Sequence, residues 1–201
     1  MSFRLVVGLG NPGSEYVSTR HNIGFRVLDA FADNRGAEPW KKERSFKGEL
    51  TSMVDDAFGK VILLKPQTYM NDSGRCVQKV CSYYKIPPEE MAVVYDELNL
   101  ELGEVKISLA GSAGGHNGVA DILSRIAPRF ARVRVGIGQK PLKEMALADY
   151  VLSKFSSDEE TIVAASMERY VDSLVRLLRD GPEMAMNHIN RKKKNDDSNS
   201  I

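Results

Sequence analysis

VVGLGNPGSEYVSTRHNIGF, residues Val6 to Phe25, sets a short apolar run before a Gly-Asn-Pro-Gly turn and a polar loop before a helix. The run Leu5–Val7 has the length and branching of a buried strand. The loop carries Tyr16, Arg20, His21 and Asn22. After it, Ile23, Val27, Leu28 and Phe31 recur at spacings of four, one and three, the signature of one helical face. A strand that empties into a polar loop with a histidine is how open α/β proteins present reactive groups, because their ligands sit beyond the carboxyl ends of the strands.

The stretch also contains Gly8-x-Gly10-x-x-Gly13, formally the dinucleotide-binding fingerprint. That motif works when its helix opens inside the glycines, so that helix N–H groups meet the pyrophosphate. Pro12 and the polar run to Asn22 delay the helix here. No second strand ending in an acid follows, only the charged stretch Glu38 to Arg44. A nucleotide-dependent oxidoreductase is therefore disfavoured.

Further strands are expected at Gly48–Val54, Val61–Leu64, Ala92–Tyr95, Val105–Leu109 and Arg132–Ile137. Helical patterns run from about Gly74 to Tyr84 and from Val119 to Ile126. A long one opens at Ser157-x-x-Glu160, a capping-box pattern, and stops at Gly181-Pro182. The fold class expected is α/β: a single domain over residues 1–190 with a mixed, mostly parallel central sheet flanked by helices. From Arg191 the chain reads RKKKNDDSNSI, polar and aperiodic, so residues 191–201 are expected to form a disordered tail.

At 201 residues the chain is long enough to bury a real core without disulfides or metals. Its 28 basic and 27 acidic side chains leave no overall field that advertises nucleic acid, so any basic face has to be local. Cys76 and Cys81 lie five apart in a helical pattern and point to different faces. With no signal peptide and no apolar run long enough to span a membrane, a cytoplasmic location without membrane association is expected. Three histidines and two cysteines in no ligand spacing give no expectation of a bound metal.

Four segments share one logic. Leu5–Val7 leads to Asn11; Val61–Leu64 leads to Lys65-Pro66-Gln67-Thr68-Tyr69-Met70-Asn71. Ala92–Tyr95 ends at Asp96-Glu97, and the loop GSAGGHNG, Gly111 to Gly118, opens the helix at Val119. If the strands are parallel, one cleft receives Asn11, His21, Asn71, Asp96 and Asn117. Each residue also has an ordinary reading: a surface histidine, Asp96 capping a turn, Asn117 as the N-cap over Val119 and Ala120, Tyr69 and Met70 filling space under a loop. One histidine, one strand-end carboxylate and three amides, with no serine or cysteine nucleophile motif, suit direct attack by water. The histidine is then the general base, the carboxylate orients it, and the amides bind carbonyl groups.

In these residues the chain resembles the bacterial peptidyl-tRNA hydrolases. The likeness covers nearly the whole length, through GLGNPG and TRHN between Gly8 and Gly24, KP-x-TYMN-x-SG at Lys65 to Gly74, YDELNL-x-x-G at Tyr95 to Gly103, GSAGGHNG, and R-x-RVGIG at Arg132 to Gly138. The resemblance implies cleavage of the ester between a peptide and the terminal ribose of tRNA, with no metal or organic cofactor. It implies peptidyl-tRNA as the partner; a monomer is the expected state. It assigns the general base to His21, the supporting carboxylate to Asp96, and discrimination of blocked from unblocked aminoacyl groups to Asn11. Tyr16, Tyr69, Asn71 and Asn117 match substrate-contacting positions, and Met70 a residue lining the cleft. Arg134, and less directly Lys106, match basic positions near the 5′ phosphate of the acceptor stem. Ser108 stands where a second basic residue of that clamp is expected. Lys140 to Ala148 correspond to a variable lid in which Lys143 is a further phosphate candidate. A non-catalytic RNA-binding protein on the same fold is the alternative, disfavoured by the presence of both His21 and Asp96.

Overall fold

The structure, a computed structural model, describes residues 2–140 and 144–191. Lys143 and positions 192–201 of the expected tail lie outside the described residues. In chain order the strands are β1 (Leu5–Gly8), β2 (Lys41–Glu43), β3 (Gly48–Asp55), β4 (Gly59–Pro66), β5 (Met91–Glu97), β6 (Val105–Ser108) and β7 (Ala131–Gly136). The helices are α1 (Ile23–Asn34), α2 (Ser73–Tyr84), α3 (Asn117–Arg125), α4 (Leu147–Leu152), α5 (Ser157–Asp180) and α6 (Pro182–Ile189).

The strands make one sheet in the order β2-β3-β4-β1-β5-β7-β6. Its centre, β4-β1-β5-β7, is parallel throughout; β3 and β2 extend one side and β6 the other by antiparallel pairing. Both faces are covered, which is why β1 and β5 read as unbroken apolar runs rather than as alternation. Val6, Val94 and Val133 face a core built with α1, α5 and α6. Leu5, Val7, Val93 and Tyr95 face a second core built with α2 and α3.

Several features differ from the sequence expectation, among them α4, a short helix where none is expected. The charged stretch after α1 forms β2, an edge strand whose three residues are all exposed; no apolar face exists for a pattern to show, and charge at an edge deters further strand pairing. Strand β5 continues through Asp96 and Glu97, because β7 pairs with both, Asp96 against Val135 and Glu97 against Gly136. The capping box of α5 is Ser156 with Glu159, one residue earlier than expected: Glu159 N–H donates to Ser156 Oγ at 3.3 Å, and Ser156 N–H donates to Glu159 at 2.8 Å. Glu160 is committed elsewhere, to Arg26 at 2.7 Å. Finally, Gly181-Pro182 ends α5 but also starts α6, with Pro182 in the first turn where its missing N–H costs nothing.

From β1 the chain turns outward to β4 on one side; from β5 it turns to β7 on the other. The crevice between the carboxyl ends of β1 and β5 is thus the point where the winding reverses, the preferred ligand position in open α/β sheets.

Candidate active site

His21 reaches that crevice because α1 lies hard against the strand ends. A Cβ on Gly24 would stand 2.5 Å from the carbonyl oxygens of Leu9 and Val94, so only glycine permits the approach. The preceding 3-10 turn, Arg20–Asn22, is held by a reciprocal pair: Asn11 N–H donates to Asn22 Oδ1 and Asn22 Nδ2 donates to Asn11 O, both at 2.9 Å. Opposite, Asp96 is buried at the end of β5. His21 Nδ1 lies 2.8 Å from Asp96 Oδ1, and His116 Nε2 lies 3.0 Å from the same oxygen. The two imidazoles are 4.9 Å apart between centroids.

Protonation follows from these contacts. Burial alone pushes the Asp96 carboxyl up, but electrostatic attraction to the His21 and His116 rings and the hydrogen bonds from both outweigh it and hold Asp96 well below the usual carboxylate range. An ionised carboxylate only accepts, so His21 Nδ1 and His116 Nε2 both carry protons. His116 Nδ1 accepts from Val119 N–H at 3.2 Å, capping α3. Both nitrogens of His116 are thereby committed. His21 Nε2 has no hydrogen-bond partner among the described residues, and His21 lines a cleft of about 230 Å³ with Asp96, Glu97, Leu98, His116, Asn117 and the α4 residues Leu147, Ala148 and Val151.

The same three side chains offer two ring nitrogens and a carboxylate oxygen within 4.8 Å of one another, a ligand-like grouping invisible in the linear spacing. Each nitrogen facing Asp96 carries a proton, which a cation would have to displace. No thiolate competes as nucleophile: burial pushes Cys76 up to about 12 and Cys81 up to about 11.

The expected convergence is met in part. His21, Asp96 and Asn117 line the one cleft; Asn11 and Asn71 do not. Asn11 is buried and its Oδ1 accepts from Met70 N–H at 2.8 Å, so it fastens the loop after β4 to the loop after β1. Met70 is buried, and a Cβ on Gly118 would meet its sulfur at 2.5 Å. Tyr69 is 62 % exposed and stands edge-on to Tyr16, with ring centroids 6.5 Å apart. Asn71, in the 3-10 turn Met70–Asp72 that leads into α2, and Asn117, the first residue of α3, are both exposed, with side chains open to a ligand. The N-cap of α3 is His116 rather than Asn117: asparagine is the better cap by type, but the loop brings the imidazole, already anchored on Asp96, to Val119.

Arg134 leaves the face used by Val133 and Val135, as alternation requires, and its β6 partner in register is Lys106. Arg134 is ion-paired to Glu97 at 3.3 Å on the rim of the cleft, whereas Lys106 makes no ion pair among the described residues. Two further residues escaped sequence reading. Asn22 locks the turn that carries His21. Arg132, buried in β7 beside Ser108, donates to Ser112 O at 2.7 Å and to Gly111 O at 2.6 Å and so holds down the glycine-rich loop. The signals for Arg132 were its place at the head of the R-x-RVGIG motif and its charge at an inward position of a predicted strand.

A histidine hydrogen-bonded to a buried carboxylate at the winding reversal of an α/β sheet, with both thiols held protonated by burial, is a residue set compatible with a hydrolase. The model of the family described as peptidyl-tRNA hydrolase matches residues 5–197. Curated peptidyl-tRNA hydrolases of Lachnoclostridium phytofermentans and Aquifex aeolicus are 42% and 43% identical, each covering 95% of this chain and 98% of the relative. The crystal structure of peptidyl-tRNA hydrolase from Acinetobacter baumannii is 38% identical and superposes with a TM-score of 0.86 over 94% of both chains. The chain belongs to the peptidyl-tRNA hydrolase family.

Proposed function

We propose that this protein hydrolyses the ester joining a peptide, or an N-blocked aminoacyl group, to the 3′ ribose of tRNA, with water as the nucleophile. His21 Nε2 takes the proton of the attacking water while Asp96 holds the ring in the Nδ1–H tautomer and balances the imidazolium that forms. The ester leaves as a ribose hydroxyl, so a placed base and carbonyl-binding donors suffice without a covalent intermediate. General-base help supplies roughly 10²–10⁴-fold and one oxyanion donor roughly 10²–10³-fold. Asn117, exposed at the cleft, is the side-chain amide among the residues that line it with His21. Asn11 acts by fixing the Met70 backbone, Tyr16, Tyr69 and Asn71 contact the acyl and terminal nucleotides, and Lys106 with Arg134 meets acceptor-stem phosphate.

The observation that carries this proposal is the asymmetry of the two imidazoles: His116 is committed at both nitrogens, His21 at one. We further propose that the protein acts as a monomer in the cytoplasm; no helix among the described residues is long and apolar enough to cross a membrane. The test is to incubate the protein with N-acetyl-aminoacyl-tRNA and with free aminoacyl-tRNA, chelator present, and follow release of deacylated tRNA. Fast release from the first and slow release from the second is expected. Equal rates would refute the blocked-amine selectivity, and no release from either would refute the activity.

A further inference from the structure

Arg20 precedes His21 on the same 3-10 turn, yet the side-chain partners of its guanidinium lie on α4, on the segment that follows it and in the first turn of α5. The guanidinium carbon lies 4.5 Å from the Tyr150 ring centroid and 4.7 Å from that of Phe155. Its Nε donates to Ser153 Oγ at 3.2 Å and its Nη2 to Glu159 at 2.7 Å. The Arg20 backbone N–H donates to Ser153 O at 3.0 Å, and Thr19 bridges to Lys154. Tyr150 in turn donates to Ile137 O at 2.9 Å, just past the end of β7. On the same short helix Leu147, Ala148 and Val151 line the cleft that His21 also lines.

Stability alone does not explain an arginine here. Its side chain is 7% exposed, and Nη1 is buried without a partner. An apolar residue between two aromatic rings would avoid both the desolvated charge and the orphan N–H. What a guanidinium adds is a rigid planar fork that stacks on rings and reaches separate acceptors in set directions, which neither lysine nor an apolar side chain reproduces.

We propose that Arg20 is a positioning residue that fixes helix α4 as the wall of the cleft at a set distance from the imidazole of His21. The base and the wall are thereby built as one unit, and the acyl group is gripped between them. The catalytic half of this statement rests on the proposed hydrolysis; the mechanical half does not.

The experiment compares wild type with Arg20→Lys, which keeps the charge but loses the fork, and with Phe155→Leu, which removes one ring and leaves Arg20 in place. Amide hydrogen exchange should accelerate at least about tenfold over residues 147–153 in both variants, while the centre of α5 and strands β1 and β5 keep wild-type protection. With N-acetyl-aminoacyl-tRNA, KM should rise about tenfold or more, and the acidic limb of the kcat–pH profile should stay in place, because misplacing a wall weakens grip without altering the base. The double variant should be no worse than the poorer single one. Unchanged exchange over 147–153, or faster exchange with unchanged KM, would overturn the proposal. So would a loss confined to kcat with a displaced acidic limb, which would make Arg20 an electrostatic partner of His21. If wild type releases no tRNA, the function proposed above fails, and the exchange result decides the mechanical claim. If Arg20→Lys does not fold, Phe155→Leu carries the same comparison.

Discussion

Replacing His116 separates the two imidazoles by experiment. His116→Ala removes the acceptor that caps α3, worth about 1 kcal/mol, and one hydrogen bond to an ionised buried carboxylate, worth about 1.5–3 kcal/mol. The sum, about 2.5–4 kcal/mol, converts to a fall in Tm of roughly 5–15 °C for a domain of this size. His116→Asn returns an oxygen to the cap but does not restore the bond to Asp96, so it should recover about 1 kcal/mol, or about 2–4 °C, over His116→Ala. Chemistry should respond differently. His21 keeps its bond to Asp96 in both variants, so turnover at 25 °C should fall by no more than about tenfold, or about 1.4 kcal/mol of transition-state stabilisation. His21→Asn should lose roughly 10²–10⁴-fold; it forfeits its own bond to Asp96, about 1.5–3 kcal/mol, but no helix cap, so its Tm should fall by about 3–12 °C, less than that of His116→Ala. Calorimetry and release of tRNA from an N-acetyl-aminoacyl ester read both quantities on the same preparations. An inactive His116→Ala with a wild-type Tm would mean that His116 is the base and that the tautomers assigned above are reversed.

Other outcomes follow from the same geometry. Because the carboxyl of Asp96 is held below its unfolded value of about 3.9, its contribution to stability is complete above that pH and is shed as pH falls below it. Wild type should therefore lose more Tm between pH 6 and pH 3 than Asp96→Asn does, and parallel losses in thermal melts would contradict the assignment. Arg134→Ala should raise KM with little change in kcat and flatten the salt dependence of tRNA binding by roughly one phosphate contact; an equal loss on a minimal substrate lacking the acceptor stem would move Arg134 into the cleft or the fold. Glu97→Gln, which releases Arg134 from its ion pair, should tighten tRNA binding in low salt, and weaker binding would show that the pair presents the guanidinium rather than restrains it. Turnover should survive exhaustive chelation, since both nitrogens facing Asp96 carry protons. Activity lost to chelator and restored by a divalent ion bound to the protein would show that the three side chains hold a metal.

The central strands were legible in the sequence because burial on both faces leaves continuous apolar runs, as in LVV and AVVY, and α1, α2, α3 and α5 because one face each is apolar; α4 and α6, of six and eight residues, are too short to show such a period. Strand β2 was not, since an exposed edge strand has no pattern to display. The α5 cap was expected one residue late, at Ser157 with Glu160; Arg20 on Glu159 and Arg26 on Glu160 favour the register of Ser156 with Glu159, and both arginines are remote in the chain. For the site, motif residues identified His21 and Asp96 as candidates, and the parallel pairing of β1 with β5 brings them within 2.8 Å. His116 was passed over because asparagine is the commoner cap and the aspartate it bonds lies twenty residues upstream on another element. Long-range partners such as Asn22 for Asn11 and Arg132 for the glycine loop carry no periodic signal at all.

The most direct test of the general-base role is the single-turnover rate of ester cleavage by His21→Ala on N-acetyl-aminoacyl-tRNA, with tRNA affinity measured in parallel. Cleavage reduced at least about 10²-fold with affinity near wild type is expected. Cleavage near the wild-type rate, with tRNA bound as before, would contradict the assignment of His21 as the base that activates water.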